Sequence, residues 1–250
     1  HGYGPYVEVG RDGNGRLELR NEGEMTLSAP DTFMAVGSGN EGEFGSGVLI
    51  IRDGAALRMT TAVENGIADG DQYEDRGHSL QIGRDAASGE VLISDGGLLQ
   101  MVGRGDYVSL TLGRKREGDS AGEGTLRLSG SESRLELRNE AEGGVGFISV
   151  GSDGAGTLVV EEGASLVAEP FLEVGNRQGG DGTFTLTGSG TTATLSGQAT
   201  PDGVLYGAFL TVADEAGARG EAAITDGASM TITTDTGTYT GLQIADGADT

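Results

Sequence analysis

Residues 147–170 read FISVGSDGAGTLVVEEGASLVAEP, and this stretch contains three short apolar runs separated by glycine-rich corners. The runs are FISV, TLVV and SLVA, and each carries two apolar side chains at positions that are two residues apart. This period of two is typical of a β-strand with one buried face. The stretch therefore predicts a unit of three short strands, with a corner after each strand.

The same unit recurs along the whole chain, with extra residues in some of the corners. The apolar pairs of the first strand are Val7/Val9, Met34/Val36, Leu80/Ile82, Leu110/Leu112, Ile148/Val150, Leu172/Val174, Leu210/Val212 and Leu242/Ile244. Self-similarity at about 20–50 residues indicates a solenoid or a propeller, and three strands per unit instead of four favour the solenoid. We predict an all-β fold, a right-handed parallel β-helix (β-solenoid) with three short strands per coil and about seven to eight coils with loop insertions.

The composition agrees with a solenoid that has many tight corners. Glycine accounts for 48 of the 250 residues and proline for only 4, so the glycine excess does not indicate a disordered linker. No long stretch has helical periodicity, and no shift in composition marks a domain boundary. We expect residues 1–250 to form a single β-solenoid domain. Because the chain begins at His1 and stops just after the first strand of an eighth copy, we also expect a fragment of a longer surface protein.

The charge and residue usage exclude several classes of partner and chemistry. With 16 Lys and Arg against 39 Asp and Glu, the net charge of −23 argues against nucleic acid and against anionic lipid. The absence of cysteine excludes disulfides and thiol chemistry. No apolar run approaches 18 residues, so we predict no transmembrane segment in this chain.

A pair of catalytic carboxylates on the solenoid surface would occupy outward positions of neighbouring strands. The outward residues of the first strand are Glu8, Ala35, Gln81, Thr111, Ser149, Glu173, Thr211 and Gln243. Glu8 and Glu173 lie five coils apart, or about 24 Å at ~4.8 Å per coil, whereas a glycosidase pair lies within roughly 5–10 Å. The other strands also place no two acids on neighbouring coils. We therefore assign no catalytic residue and no cofactor-binding residue, and a site built from the loops stays open.

No metal-ligating residue is assigned either. The insertion at residues 60–77 contains Asp69, Asp71, Glu74 and Asp75, which favours a solvated acidic loop with at most weak Ca²⁺ binding, because the EF-hand order is not met. His78 has no second histidine near it in the sequence. Acidic residues followed by glycine recur before the third strand, and we interpret them as turns; they are Asp53-Gly54, Asp95-Gly96, Glu162-Gly163 and Asp226-Gly227.

A row of aromatic residues and a cluster of basic residues each have a structural and a functional interpretation. Aromatic residues occupy one repeat position at Tyr6, Phe33, Phe147, Phe171 and Phe209. We expect them to stack into a ladder along the solenoid axis, and a sugar-binding platform is the alternative. The basic cluster Arg114, Lys115 and Arg116 lies next to Glu117 and Asp119, which predicts a local ion-paired loop.

The outward face of the second strand carries apolar side chains on adjacent coils. Ile50 and Leu92 are the two neighbours, and Arg127 interrupts the row before Val159. Contiguous apolar patches are rare on soluble monomers, so these residues need a cover. Either the loop at residues 60–77 folds over them, or the chain associates side by side with another chain.

The repeats resemble those of bacterial autotransporter passenger domains and of PEP-CTERM-sorted surface proteins. The matching stretches are VEVGRDGNGRLEL, ISVGSDGAGTLVVEEGASL and LEVGNRQGGDGTFTL. The resemblance implies a non-catalytic structural or adhesive module of a secreted or surface-anchored protein, at an extracellular or bacterial outer-surface location. Its expected partners are a host-surface, extracellular-matrix or glycan ligand, or a second copy of the chain. A carbohydrate-active β-helix of the polysaccharide lyase or hydrolase type is the alternative.

Overall fold

The computed structural model describes residues 4–39, 44–61, 77–115, 120–141, 144–199, 205–234 and 239–244. In these ranges the chain forms strands β1 to β24 and no helix. Three parallel sheets run along the molecule, and each coil contributes one strand to each sheet. The predicted fold class is confirmed: the protein is a right-handed parallel β-helix with three strands per coil.

Sheet A contains the first strand of every coil, and all of its strands pair in parallel. Its eight strands are β1 (Tyr6–Arg11), β4 (Thr32–Ser38), β7 (Gly77–Arg84), β10 (Tyr107–Arg114), β13 (Val145–Val150), β16 (Phe171–Val174), β21 (Phe209–Val212) and β24 (Gly241–Ile244).

Sheets B and C contain the second and third strands of each coil. Sheet B consists of β2 (Asn14–Leu19), β5 (Ser46–Ile51), β8 (Ser88–Ile93), β11 (Glu123–Ser129), β14 (Ala155–Glu161), β17 (Asp181–Thr187) and β22 (Arg219–Thr225). Sheet C consists of β3 (Glu24–Ser28), β6 (Ala56–Thr60), β9 (Leu98–Gly103), β12 (Arg134–Asn139), β15 (Ser165–Ala168), β18 (Thr192–Ser196) and β23 (Ser229–Thr233). A short antiparallel hairpin, β19 (Gln198–Ala199) and β20 (Leu205–Tyr206), projects from the sixth coil.

The apolar pairs of the repeat point into the solenoid and stack on their counterparts in the next coil. In sheet B, for example, Leu158 pairs in register with Leu126 on one side and Phe184 on the other. All three side chains are fully buried. A single coil on its own would expose its apolar side chains to water above and below. These side chains are buried only when neighbouring coils stack on both sides. The core is thus one continuous apolar column, and the alternation in sequence sets its register.

The acidic-glycine pairs form tight turns, as the sequence predicts. Asp53 and Gly54 have φ values of 55° and 73°, and the amide of Ala55 donates to the carbonyl of Arg52 at 3.1 Å. Two successive positive φ values with this hydrogen bond define a type I′ turn. The pairs at Asp95, Glu162 and Asp226 have the same conformation, with φ values of 50°, 56° and 54° at the acidic residue.

A glycine at the end of the first strand is favoured by close backbone contact in most coils. Gly83 has a φ of 67°, and a Cβ built there would lie 1.9 Å from the carbonyl oxygen of Glu123 in the next coil. Glycine supplies both the positive φ and the absence of a side chain at this corner, whereas Ala213 occupies the equivalent position of the seventh coil with a φ of 59°. The glycine-rich corners therefore keep consecutive coils at strand-pairing distance.

The structure also bears on membrane crossing. Among the described residues, none belongs to a helix that could cross a membrane.

Candidate functional site

The outer face of sheet A contains a cleft. Several residues at its outward strand positions are buried, although outward positions of a β-strand usually face water. Gln81, Thr111 and Ser149 point away from the core and yet are only 5%, 4% and 1% exposed. The cleft has a volume of about 360 Å³. It is lined by Phe33, Ser79, Gln81, Tyr107, Ser109, Thr111, Arg114, Phe147, Ser149, Ser152, Asn176 and Arg177.

A gap in the aromatic row creates this cleft. The register of sheet A places Phe33 beside Ser79, Ser79 beside Ser109, and Ser109 beside Phe147. Two serines therefore replace two aromatic side chains, and the flanking rings stand three coil steps apart, or about 14 Å at ~4.8 Å per step. The cleft lies at the position of these two missing side chains.

The aromatic ladder forms in part of sheet A, and one correction applies. Phe171 and Phe209 pair in register with their ring centroids 6.3 Å apart. Tyr206 of the hairpin packs edge-on against Phe171, with a centroid distance of 6.4 Å. The ladder lies on the outer face of sheet A, and the serine gap makes it discontinuous. One part of it is therefore ring stacking, and another part is the wall of a cleft.

The floor of the cleft is a hydrogen-bonded polar surface. The Ser109 hydroxyl donates to the Ser79 hydroxyl at 3.1 Å, and the Gln81 amide approaches the same Ser79 oxygen at 3.4 Å. The hydroxyl groups of Thr111 and Ser149 face the same space. A floor of hydroxyls and amides can donate and accept hydrogen bonds to a polar ligand without adding charge.

Two arginine side chains line the cleft, and a third contacts the ring of its lining residue Phe33. Arg84 is buried, pairs with Asp85 at 2.8 Å and lies 5.3 Å above the ring centre of Phe33. Arg114 lines the cleft and forms no ion pair with any residue that the structure describes. Arg177 also lines the cleft and has Asp153 at 3.9 Å, at the limit of an ion pair.

The ion-paired loop expected at residues 114–119 stays a prediction, because Arg116, Glu117 and Asp119 lie outside the described residues. Arg114 lines the cleft. Arg114 could not be singled out from the sequence, because the composition of a basic cluster does not reveal which member lies beside a neighbouring coil.

Glu173 pairs in register with Ser149 of the cleft floor, one coil further along sheet A. Burial raises the pKa of the Glu173 carboxyl to about 7, and the charge of Asp214 acts in the same direction. Arg177 and a short hydrogen bond from Asn176 only partly oppose this rise in pKa. The Asn176 amide also reaches the Ser149 hydroxyl at 3.5 Å, so Asn176 links this carboxyl to the cleft floor.

His78 is fully buried at the start of β7 and serves the structure. Its Nδ1 lies 2.7 Å from the Thr32 hydroxyl and its Nε2 lies 3.0 Å from the Thr61 hydroxyl. Burial lowers the pKa of the imidazole to about 4. With both ring nitrogens engaged and the ring neutral, His78 is a satisfied core polar group.

The structure brings together none of the acids that were tested as a catalytic pair. Glu8 and Glu173 are on strands β1 and β16, separated in sheet A by four intervening strands. Among the described residues, no group of three or more His, Cys, Asp or Glu side chains could hold a metal ion. Asp69, Asp71, Glu74 and Asp75 lie outside the described residues, so weak Ca²⁺ binding there stays a prediction.

Comparison with known proteins adds no assignment. No protein family, no curated protein and no solved structure matches this chain.

Proposed function

We propose that this chain is a non-catalytic structural or adhesive module of a secreted or surface-anchored bacterial protein, and that the cleft on sheet A is its ligand-binding surface. The observation that supports adhesion is the cleft itself, where aromatic walls and a hydroxyl floor are held on adjacent coils. Most ligand sites are concave and combine apolar side chains with a few oriented polar groups. Sites held on strands are positioned more precisely than sites on loops.

The proposed location rests on the resemblance of the repeats to autotransporter passenger and PEP-CTERM-associated repeats. An extended solenoid suits a stalk on the cell surface because its length grows with the number of coils and its surface stays accessible. The net charge of −23 favours solubility outside the cell. The ligand of such a module is a host-surface, extracellular-matrix or glycan molecule.

One observation favours the carbohydrate-active alternative. A carboxyl with a pKa near 7, such as that of Glu173, is suited to general acid or base chemistry. Hydrolysis of a glycosidic bond ordinarily needs a second carboxyl within roughly 10 Å on the other side of the bond. The described lining of the cleft contains no aspartate or glutamate, so binding without turnover is the better-supported function.

Self-association along sheet B is a second proposed mode of contact. Ile50 and Leu92 pair in register on β5 and β8, and both are half-buried. The row ends at Arg127, which forms an ion pair with Glu161. The apolar patch is therefore short, and we propose only a weak contact through it. The alternative cover, the loop at residues 60–77, falls almost entirely outside the described residues.

The experiment that tests this function uses beads carrying the chain. Beads are passed over surfaces coated with extracellular-matrix or host-cell glycans, with beads carrying the Ser79→Phe/Ser109→Phe variant as the control. We expect retention of the wild-type beads and loss of retention when the two phenylalanines fill the cleft. We also expect no release of reducing ends from polysaccharides incubated with the chain. Equal retention of both bead types would contradict adhesion through sheet A, and product release would favour the enzyme.

A further inference from the structure

Among the residues that the structure describes, the charge of the cleft lining differs in sign from the net charge of the molecule. The whole chain has an excess of 23 negative charges, whereas the described cleft lining contains two arginines and no aspartate or glutamate. Arg114 forms no ion pair with a described residue, and Arg177 has only a distant one. A guanidinium presents several N–H donors in a fork that matches a carboxylate. The cleft is thus locally suited to an anion.

The other lining groups restrict what kind of anion fits. Phe33 and Phe147 form the two end walls, and Tyr107 contributes a third aromatic side chain. Between them, the floor offers the hydroxyls of Ser79 and Ser109. Aromatic faces pack against flat apolar ring surfaces, and hydroxyls match a ligand that has many hydroxyls of its own. A ligand with rings, hydroxyls and a carboxylate satisfies all three parts of the lining.

We propose that the sheet A cleft binds a short segment of an acidic polysaccharide, with sugar rings occupying the positions of the two missing aromatic rungs and Arg114 and Arg177 holding a uronate carboxylate. This inference rests on the adhesive function proposed above and specifies its ligand class. The cleft is large enough for part of such a chain, and its two end walls are about 14 Å apart at ~4.8 Å per coil. A longer polysaccharide would continue past the walls.

The test measures binding by calorimetry with tetrasaccharides of glucuronate, galacturonate and mannuronate. Each is paired with its methyl ester, which keeps the rings and hydroxyls and removes the charge. We expect at least one of the acidic tetrasaccharides to bind, and its methyl ester to bind about 10- to 100-fold more weakly, because charge-assisted hydrogen bonds are lost. Tetra-aspartate, which has carboxylates without sugar rings, should not bind measurably.

Matched variants locate the binding site. Arg114→Gln and Arg177→Gln should each weaken binding about 10-fold or more, and raising the salt concentration should weaken the wild-type complex. Arg127→Gln, on the outer face of sheet B, removes the same charge and should leave affinity unchanged. Ser79→Phe/Ser109→Phe should abolish binding, whereas Thr185→Phe on sheet B should not. Thermal unfolding of each variant establishes that it is folded.

Three results would overturn the inference. The first is that none of the acidic tetrasaccharides binds, and the second is that the methyl esters or tetra-aspartate bind as tightly as the acids. The third is that Arg114→Gln and Arg177→Gln have the same affinity as Arg127→Gln. Bead retention on glycan or matrix surfaces in any of these cases would leave the adhesive function standing with another ligand. Loss of bead retention would overturn the function itself, so the two failures are distinguishable.

Discussion

The outer faces of sheets A and B follow the same alternation of residues but bury their outward side chains to different extents. On sheet A, the outward residues Gln81, Thr111 and Ser149 form the floor of a cleft. On sheet B, the outward residue Val159 is half-buried and Arg127 is exposed. Both faces are parallel ladders with the same coil spacing, so backbone geometry cannot explain the difference.

The difference comes from the size of the neighbouring side chains. Sheet A carries aromatic rings at one repeat position, and these rings raise walls on either side of the polar residues. Where serine replaces the ring, at Ser79 and Ser109, the row of rings is interrupted and the cleft forms, with the two serines themselves buried in its floor. In a solenoid, a small residue at a single repeat position therefore creates a site without any change in fold.

The largest expected effect contrasts the inward and outward faces of one strand. Leu158→Asp should lower the free energy of unfolding by about 3–5 kcal/mol, because it places an unpaired charge in the fully buried apolar column. Val159→Asp, on the outer face of the same strand, should cost less than about 1 kcal/mol. Chemical denaturation of both variants measures this. A similar loss in the two variants would show that the inward and outward assignments in sheet B are wrong.

The next effect concerns the buried histidine of sheet A. Because the pKa of His78 is about 4 in the folded chain and near 6.5 when unfolded, the unfolded state binds the proton more strongly between these values. Stability is therefore retained above pH 6.5 and lost as the pH falls toward 4. In His78→Gln, the decrease in unfolding free energy from pH 7 to pH 4.5 should be smaller by about 2 kcal/mol. An unchanged decrease would place His78 in contact with water.

Glu173 should give the opposite pH dependence. Its folded pKa of about 7 lies above the unfolded value of 4.5, so the folded state holds the proton more tightly and stability falls as the pH rises between them. In Glu173→Gln, the fall from pH 5 to pH 8 should be smaller by about 1–2 kcal/mol, allowing for the partial exposure of this side chain. Glu221→Gln, which removes an exposed carboxyl from sheet B, is the matched control.

The smallest expected effect is association through sheet B. The charge of −23 opposes self-association at low salt, and screening weakens that repulsion at high salt. We expect sedimentation to show a weak dimer that increases with ionic strength, and we expect Ile50→Lys/Leu92→Lys to abolish it. A monomer at every salt concentration would contradict association through this face. If the double variant still forms dimers, the dimer contact lies on another surface.

The repeat pattern predicted the fold in detail because it reports directly on burial. The apolar pairs, such as Leu158 and Val160, occupy the register positions that the alternation implies. The Asp-Gly turns also followed from the sequence, since their conformation is set by the two residues themselves. Both the turn conformation and the inward or outward direction of a side chain are set within a single repeat, so both can be predicted from its sequence.

The cleft was not predicted from the sequence, because it depends on contacts between coils. Serine at positions 79 and 109 is visible in the sequence as a gap in the aromatic row, and this signal could have indicated the cleft. The placement of Arg114 and Arg177 in its lining could not be predicted, because each follows a corner whose path depends on the adjacent coils. The pKa of Glu173 likewise depends on Asn176 and Asp214, which the strand pattern does not place.

Protection of a single thiol tests the central claim most directly, namely that the gap at Ser79 and Ser109 is the ligand site of sheet A. The chain has no cysteine, so Ser109→Cys introduces a unique thiol at the cleft floor and Thr185→Cys introduces one on the outer face of sheet B. The rate of labelling by a small thiol reagent is measured for both variants with and without a uronate tetrasaccharide. We predict that the tetrasaccharide slows labelling at position 109 at least about 10-fold and leaves position 185 unchanged. Equal labelling rates at position 109 with and without the tetrasaccharide would contradict the account.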